Sequence, residues 1–264
     1  MEQTFMKEKK ILPLVLSMSL PMMLSMLVNS LYNIVDSYFV AQISEQAMTA
    51  LSLVYPLQLL ETAIAVGFGI GMNAAAAYYL GAKEQQRADD IVTSGLILSL
   101  LHGVILMAAA LLFAPAFVSL FTENEKILAD GVKYSNLVFI FAVPNVIAIT
   151  FEKIFQAEGR MKVSMLSMLC GCVANIILDP LLIFGIGIFP KMGIEGAAIA
   201  TGIGQVIPLI VYLFIFIKHP VSLHFHWHKK VFQKRLMGQM YGVGIPATLN
   251  LALPSFMITA LNGI

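Results

Sequence analysis

Long charge-free apolar runs dominate this chain, and two of them end at an aspartate. Asp36 follows 25 uncharged residues (11–35), and Asp179 follows 16 more (163–178). An ionised carboxylate at bilayer depth costs roughly 2.5 to 3.5 kcal/mol on insertion scales. Such a residue is kept mainly where it faces a polar cavity, binds a cation or exchanges a proton. The two aspartates therefore predict a coupling site in a chain that moves something across a membrane.

The composition is typical of a polytopic membrane protein. The chain is 59% hydrophobic and 12% charged, whereas about a quarter of the residues of a soluble domain are charged. Apolar stretches of about 20 residues, long enough to cross hydrocarbon as a helix, recur along it. They predict an all-α fold, with a six-helix transmembrane bundle and a partial seventh helix. The expected spans are 12–38, 50–78, 91–114, 134–156, 163–186, 194–217 and a seventh from 238 onward.

The basic residues predict the orientation. With the N-terminus in the cytoplasm, thirteen Lys and Arg residues fall in cytoplasmic segments and three in outer loops, which is a strong positive-inside bias. Glu152 and Lys153 lie near the cytoplasmic end of the fourth span, where we expect them to snorkel to the interface. These patterns predict a multi-pass protein of the cell (inner) membrane. The formal net charge of +1 gives no case for nucleic acid as a partner.

A weak internal repeat predicts the domain organisation. A basic pair, ten residues and a helix proline occur twice, ending at Pro21 and at Pro246, an offset of 225 residues. Transporters are often built from two such repeats, with the substrate site in or between them. The chain then divides into a six-helix lobe (1–217), a cytoplasmic basic linker (218–237) and the truncated start of a second lobe (238–264). We expect the rest of that second lobe to be missing from this chain.

Polar side chains form stripes on three of the spans. The stripes are Asn29, Asn33 and Asp36 on the first span, Asn175 and Asp179 on the fifth, and Thr201 and Gln205 on the sixth. Spacings of three or four residues place each set on one helix face. Helical rise places Asp36, Asp179 and Thr201 at a similar depth, in the outer half of the membrane. Their oxygens suit a hard cation such as Na⁺, or a proton shared between carboxylates. Hydrogen bonding between helices is the alternative role for the amides and for Thr201.

Four other residues of the spans are candidates for supporting roles. Gln58 and Glu61 share a face of the second span, where they could contact a cationic substrate or pair with a polar neighbour. Pro21 and Pro180 each remove a helix hydrogen bond and predict a bend that could open a cavity or act as a hinge.

Small residues and histidines mark two further segments. The three glycines within 67–71 predict close helix packing. The alternating histidines within 224–228 indicate a basic, aromatic interfacial linker, with a metal site as the alternative. No metal other than a possible Na⁺ at the aspartate site is expected.

Four segments of the chain point to a family. They are NIVDSYF (33–39), FQAEGR (155–160), NIILDPLLIFG (175–185) and GIEGAAIAT (193–201). With these segments the chain resembles the multidrug and toxic-compound extrusion (MATE) exporters along nearly its whole length. The resemblance implies twelve helices in two six-helix lobes. It also implies export of small amphipathic cations through the lipid bilayer in exchange for Na⁺ or H⁺, with no other cofactor.

The resemblance also implies roles for individual residues. In family members with an acidic first lobe, the coupling residues match Asp36, Asn175, Asp179 and Thr201. Pro21 falls where the family has a first-helix proline linked to bending. Many relatives carry a further acidic residue in the second lobe, but the visible part of the seventh span has no charge.

Two other functions compete with drug export. A lipid-linked saccharide flippase of related architecture would move lipid intermediates rather than cationic dyes. An intramembrane aspartyl protease also uses two aspartates on separate spans, but it needs a Gly-x-Gly-Asp motif. Neither Asp36 nor Asp179 has that motif, so we expect a transporter and not an enzyme.

Overall fold

Eight helices are found in the parts of the chain that a computed structural model describes, residues 10–226 and 231–263. They are α1 (Ile11–Ala41), α2 (Glu45–Gly81), α3 (Gln85–Ser119), α4 (Glu125–Ile140), α5 (Ala142–Ala157), α6 (Met161–Phe184), α7 (Ile194–Lys218) and α8 (Lys234–Asn262). Those same parts contain no strand. Six of these helices are long and apolar enough to cross a membrane, and the bent pair α4–α5 supplies a seventh candidate span. The predicted all-α membrane bundle is therefore confirmed.

The fourth span contains a sharp bend. Helices α4 and α5 meet at Phe141 with a bend of 46°. Pro144 lies in the first turn of α5, and its nitrogen cannot donate the hydrogen bond that the carbonyl of Ile140 would accept in a continuous helix. This missing bond explains the break, since sharp kinks in helices usually occur at proline.

Two large buried apolar clusters and a small third one hold the bundle together. The first lies at the end where residues 219–233 join α7 to α8, which is called the linker end below; it includes Phe68 and Tyr212. The second lies at the opposite end and includes Val54 and Ala198. Buried polar residues lie beside the small cluster, in the layer between the two large ones. On α2, Glu61 comes between Val54 and Phe68, and on α7, Thr201 comes between Ala198 and Tyr212.

Helix α8 packs closely along α2. A Cβ atom added to Gly71 would lie 2.0 Å from the backbone oxygen of Met240, and one added to Gly67 would lie 2.1 Å from Oγ1 of Thr248. Towards the opposite end of the bundle, Ser255 Oγ donates a hydrogen bond to the backbone oxygen of Pro56 at 2.7 Å. The predicted close packing at these glycines is confirmed, because only a residue without a side chain lets the two backbones approach this far.

The segment between α7 and α8 lies against the helix ends. Glu158 Oε1 accepts hydrogen bonds from the backbone N–H and, at 2.6 Å, from Oγ of Ser222. Asp89 Oδ1 accepts the backbone N–H of His224 at 2.9 Å, and Leu223 is buried in the apolar cluster of this end. His228 of the histidine pattern lies outside the described residues. Within them, no group of three or more His, Cys, Asp or Glu side chains is placed to hold a metal ion.

The packing of α8 on α2 predicts opposite effects for two glycine substitutions. Gly71→Ala should destabilise the protein by about 1–3 kcal/mol, because the new methyl group overpacks the interface. Gly242→Ala is the matched control: this residue lies on α8 with no neighbouring atom near the added Cβ. It should leave stability unchanged or raise it by about 0.5–1 kcal/mol, since alanine favours a helix over glycine. Thermal unfolding midpoints of the purified variants measure both effects, and equal midpoints for the two would contradict the observed interface.

Candidate functional site

The two predicted aspartates and Thr201 lie on three helices that pack together. Asp36 lies five residues before the end of α1, and Asp179 lies five residues before the end of α6. Thr201 lies in the second turn of α7. Helix α6 packs against both α1 and α7. All three side chains are buried, with exposed fractions of 6%, 0% and 5% in that order, and all lie towards the end of the bundle opposite the linker.

Asn175 connects two of these helices. In the amide orientation that its neighbours require, Nδ2 donates to Asp179 Oδ2 at 3.2 Å and Oδ1 accepts the backbone N–H of Thr201 at 3.2 Å. Glycines permit this approach: a Cβ atom on Gly171 of α6 would lie 2.4 Å from the backbone oxygen of Gly204 on α7. The predicted shared face of Asn175 and Asp179 is therefore present, and it is directed at α7.

Two oxygens of this group lack a hydrogen-bond partner. Asp36 Oδ1 and Thr201 Oγ1 are both buried and unpaired. The carboxylate of Asp36 is near enough to that of Asp179 for the two charges to interact. A buried polar atom without a partner costs about 1–3 kcal/mol, and more when it is charged. Two carboxylates, an amide and a hydroxyl with unused acceptor capacity fit a hard cation or a proton.

A cavity of about 670 Å³, called the larger cavity, adjoins this group. All the predicted supporting residues line it together with Asp36; they are Asn29, Asn33, Gln58, Glu61 and Gln205. Helix α8 contributes Asn262 to its wall. Glu61 is buried and accepts a hydrogen bond from Asn145 Nδ2 at 3.0 Å, so it has a polar neighbour, and its contact with a cationic substrate stays a prediction. Asn33 Nδ2 donates to the backbone oxygen of Asn29 at 2.7 Å.

A second cavity of about 190 Å³, called the smaller cavity, continues from the first. The two share Asn29, Tyr32, Thr62, Thr201 and Gln205 in their walls. Asn175 also lines the smaller cavity, which extends to Glu152 and Tyr212. Asp179 lines neither cavity and lies behind their walls.

The expected snorkelling of Glu152 and Lys153 is wrong. Lys153 is 7% exposed, and its Nζ donates to Glu152 Oε1 at 3.1 Å and to Gln156 Oε1 at 3.1 Å. These partners inside the bundle replace the water that the charged groups would otherwise seek at the interface. Lys153 is therefore not a loop residue. Without it, the predicted cytoplasmic segments contain twelve basic residues and the outer loops contain three.

The two predicted hinge prolines lie within unbroken helices. Helix α1 continues through Pro21 to Ala41, and α6 continues through Pro180 to Phe184. Their roles as bending points stay predictions. The sharp break that the structure does contain is near Pro144, which was not among the predicted hinges.

Sequence reasoning missed three residues of the site. Tyr32 lies near Asp36 and Asp179, and its position four residues before Asp36 could have placed it on the polar stripe. Tyr134 of α4 lies near Asp36 and Thr201; no pattern in its own span points to it. Glu152 lines the smaller cavity. Gln156, a polar residue one helical turn later, could have indicated that this face of the helix is buried and polar.

The comparisons with known proteins agree on one family. The family model described as MatE matches residues 21–181. The multidrug export protein MepA of Staphylococcus aureus (strain MRSA252) is 28% identical over 265 residues, which cover 99% of this chain and 57% of that protein. The chain thus spans about half the length of the curated relatives it matches.

Solved structures agree with the fold. A crystal structure of MATE in complex with MaD3S superimposes with a TM-score of 0.83 at 27% identity, covering 90% of this chain and 53% of that one. A MOP superfamily transporter from Pyrococcus furiosus Vc1 (DSM3638) gives a TM-score of 0.82 at 27% identity, covering 90% of this chain and 52% of that one. That transporter is described as having a binding pocket of reverse polarity, which suggests a different function for it.

The hydrogen bonds of Asn175 predict a non-additive stability effect. Asn175→Leu should destabilise the protein by about 1–3 kcal/mol, because it leaves the buried Asp179 carboxylate without its donor. Adding Asp179→Leu removes the stranded carboxylate, so the double variant should unfold at a higher temperature than Asn175→Leu alone. Thermal unfolding of the unmodified protein, the two single variants and the double variant measures this. A double variant whose loss equals the sum of the single losses would contradict the hydrogen bond.

Proposed function

This chain belongs to the MATE family of transporters, and on that premise we propose that it is the ion-binding lobe of a multidrug antiporter. The antiporter exports amphipathic, mostly cationic compounds in exchange for Na⁺ or H⁺. Similarity to the multidrug export protein MepA supports the export of drugs. Because the family consists of transporters, the intramembrane aspartyl protease is set aside.

The observation that carries this proposal is the incomplete polar group around Asp36. Asp36 and Asp179 share one low-dielectric region, where both cannot ionise without a large cost. Asn175 supplies a single donor to Asp179, while Asp36 Oδ1 and Thr201 Oγ1 have no partner. A group that needs one more positive charge to be satisfied is suited to binding an ion and releasing it.

Helix α1 links the occupancy of this group to the shape of the cavities. Asp36 lies on α1, and the same helix contributes Asn29 and Tyr32 to both cavities. Filling the site with Na⁺ or protons removes the repulsion between the carboxylates and stabilises α1 in a new position. Pro21 is the weak point at which α1 bends, because its nitrogen makes no helix hydrogen bond. Movement of α1 narrows the cavities and expels the substrate.

We assign the linker end of the bundle to the cytoplasm of a cell (inner) membrane. Among the described residues, eight basic residues lie in the segments at that end and three at the other, which supports this orientation, since cytoplasmic loops are enriched in Lys and Arg. The second six-helix lobe of the same polypeptide completes the substrate path. The half-length match to the curated relatives supports a two-lobe arrangement.

Neutralising either aspartate should abolish ion-driven export. In a protein that carries this chain and its second lobe, Asp36→Asn and Asp179→Asn should each reduce efflux of ethidium to the vector-only level. Because the two carboxylates act as a unit, the double variant should be little worse than either single one. Efflux is measured at matched surface expression, with Na⁺ and pH gradients imposed separately, so that the coupling ion is identified in the same experiment.

Glu84→Gln is the control for loss of a carboxylate, because Glu84 lies outside both cavities and pairs with Arg87 at the surface. It should leave efflux unchanged. Near-normal efflux by both aspartate variants would reduce these residues to a structural role. Movement of lipid-linked saccharides without any efflux across a varied dye panel would favour the flippase instead.

Expression of the 264-residue chain alone gives a further prediction. It should confer no dye efflux even when it folds, because one wall of the proposed path between the lobes is absent. Joining the second lobe to it should restore efflux. Robust efflux by the chain alone would indicate a half-size transporter that functions as a dimer.

A further inference from the structure

The smaller cavity contains one carboxylate, that of Glu152 on α5. Lys153 Nζ and Gln156 Nε2 both donate to the same oxygen, Oε1. The second oxygen, Oε2, makes no hydrogen bond with any residue that the structure describes and is not enclosed, and the side chain is 16% exposed. Glu152 therefore presents one free oxygen to whatever enters the cavity.

Lys153 approaches this carboxylate from behind. It is absent from the cavity wall, and its aliphatic stem lies against α2, where a Cβ atom on Gly69 would be 2.8 Å from Lys153 Cγ. Asn73 Nδ2 donates to the backbone oxygen of Lys153 at 2.9 Å, which ties this turn of α5 to α2. The positive charge is thus held between two helices, while the negative charge lies in the cavity wall.

The remaining wall suits an organic cation rather than a metal ion. Tyr32, Tyr212 and Met168 line the same cavity, and aromatic faces and thioethers attract alkylammonium groups. Tyr212 is held in place by a hydrogen bond from its hydroxyl to the backbone oxygen of Ser164 at 3.3 Å. The volume of about 190 Å³ accommodates a compact head group, and the adjoining larger cavity of about 670 Å³ has room for an apolar body.

We infer that the smaller cavity is the head-group subsite of the exported compound, with Glu152 as the residue that contacts its cationic nitrogen. Lys153 and Gln156 are positioning residues, since their hydrogen bonds to Oε1 fix the carboxylate at the cavity wall. This assignment rests on the proposed export of amphipathic cations. It is separate from the ion-coupling role of Asp36 and Asp179.

Two probes of opposite charge and similar shape test the subsite. Biphenylmethyl-trimethylammonium and biphenylmethanesulfonate share an apolar body and carry tetrahedral heads of opposite sign. Their binding to the 264-residue chain in nanodiscs is measured by equilibrium dialysis, with binding to empty nanodiscs subtracted. The chain should bind the ammonium roughly tenfold more tightly than the sulfonate, because the carboxylate and the aromatic faces attract a cation and repel an anion. Glu152→Gln should lower the ammonium affinity roughly tenfold and raise the sulfonate affinity, because Lys153 loses its counter-charge.

Two further variants separate recognition from folding. Glu152→Asp keeps the charge and should keep the preference for ammonium, although with weaker binding. Glu84→Gln removes an exposed carboxylate and should change neither affinity. Equal binding of the two probes by the unmodified chain, or an unchanged ammonium affinity in a folded Glu152→Gln variant, would overturn the subsite.

The binding and efflux experiments can fail independently. Ion-driven efflux of cations that is insensitive to Glu152→Gln would overturn the subsite and leave the proposed function standing. Glu152-dependent binding of the ammonium without any cation efflux by the two-lobe protein would support the subsite and overturn the proposed transport.

Discussion

A carboxylate inside this bundle depends on the neighbouring side chains for the hydrogen bonds that water would otherwise donate. The buried carboxylates differ in how many such donors they receive. Glu61 receives a donor from Asn145, and Glu152 receives two, from Lys153 and Gln156. Asp36 keeps an unpaired buried oxygen beside a second carboxylate. Buried polar groups in native proteins are nearly always satisfied. Among the buried carboxylates of the described residues, Asp36 is the one with an enclosed, unpaired oxygen, which supports the proposal that a transient ion binds there.

The helices around this site differ in how firmly they are held. Glycine contacts bring α6 against α7 and α2 against α8 at backbone distance. Helix α1 has no such contact. Only 11% of the residues in its most apolar 18-residue stretch are buried, compared with 50% for α2. Few buried contacts make an element easier to displace. The helix that carries Asp36 is thus the one whose movement disturbs the least packing within this chain, and it lines both cavities.

The sequence predicted most of the architecture, because length and apolar composition suffice to place a membrane helix. The polar stripes of α1, α6 and α7 were also predictable, since helical periodicity places residues three or four apart on one face. The inward-facing Glu152 was not predicted. Its position depends on tertiary partners: α2 offers Gly69 as space for Lys153, and no local pattern in α5 reveals which neighbour will accept its charge. Tyr134 was missed for the same reason.

The two acidic sites of the proposed exporter, Asp36 with Asp179 and Glu152, should differ in how tightly they bind a cation. Asp36 and Asp179 have no basic side chain among their hydrogen-bond partners, so a cation at that site meets uncompensated negative charge. Glu152 is already paired with Lys153, and a substrate cation there gains only what the free oxygen and the aromatic wall provide. An exporter must bind its substrate tightly enough to load it and weakly enough to release it. A carboxylate half-neutralised from behind fulfils both conditions, and Gly69, by leaving room for the lysine stem, makes that arrangement possible.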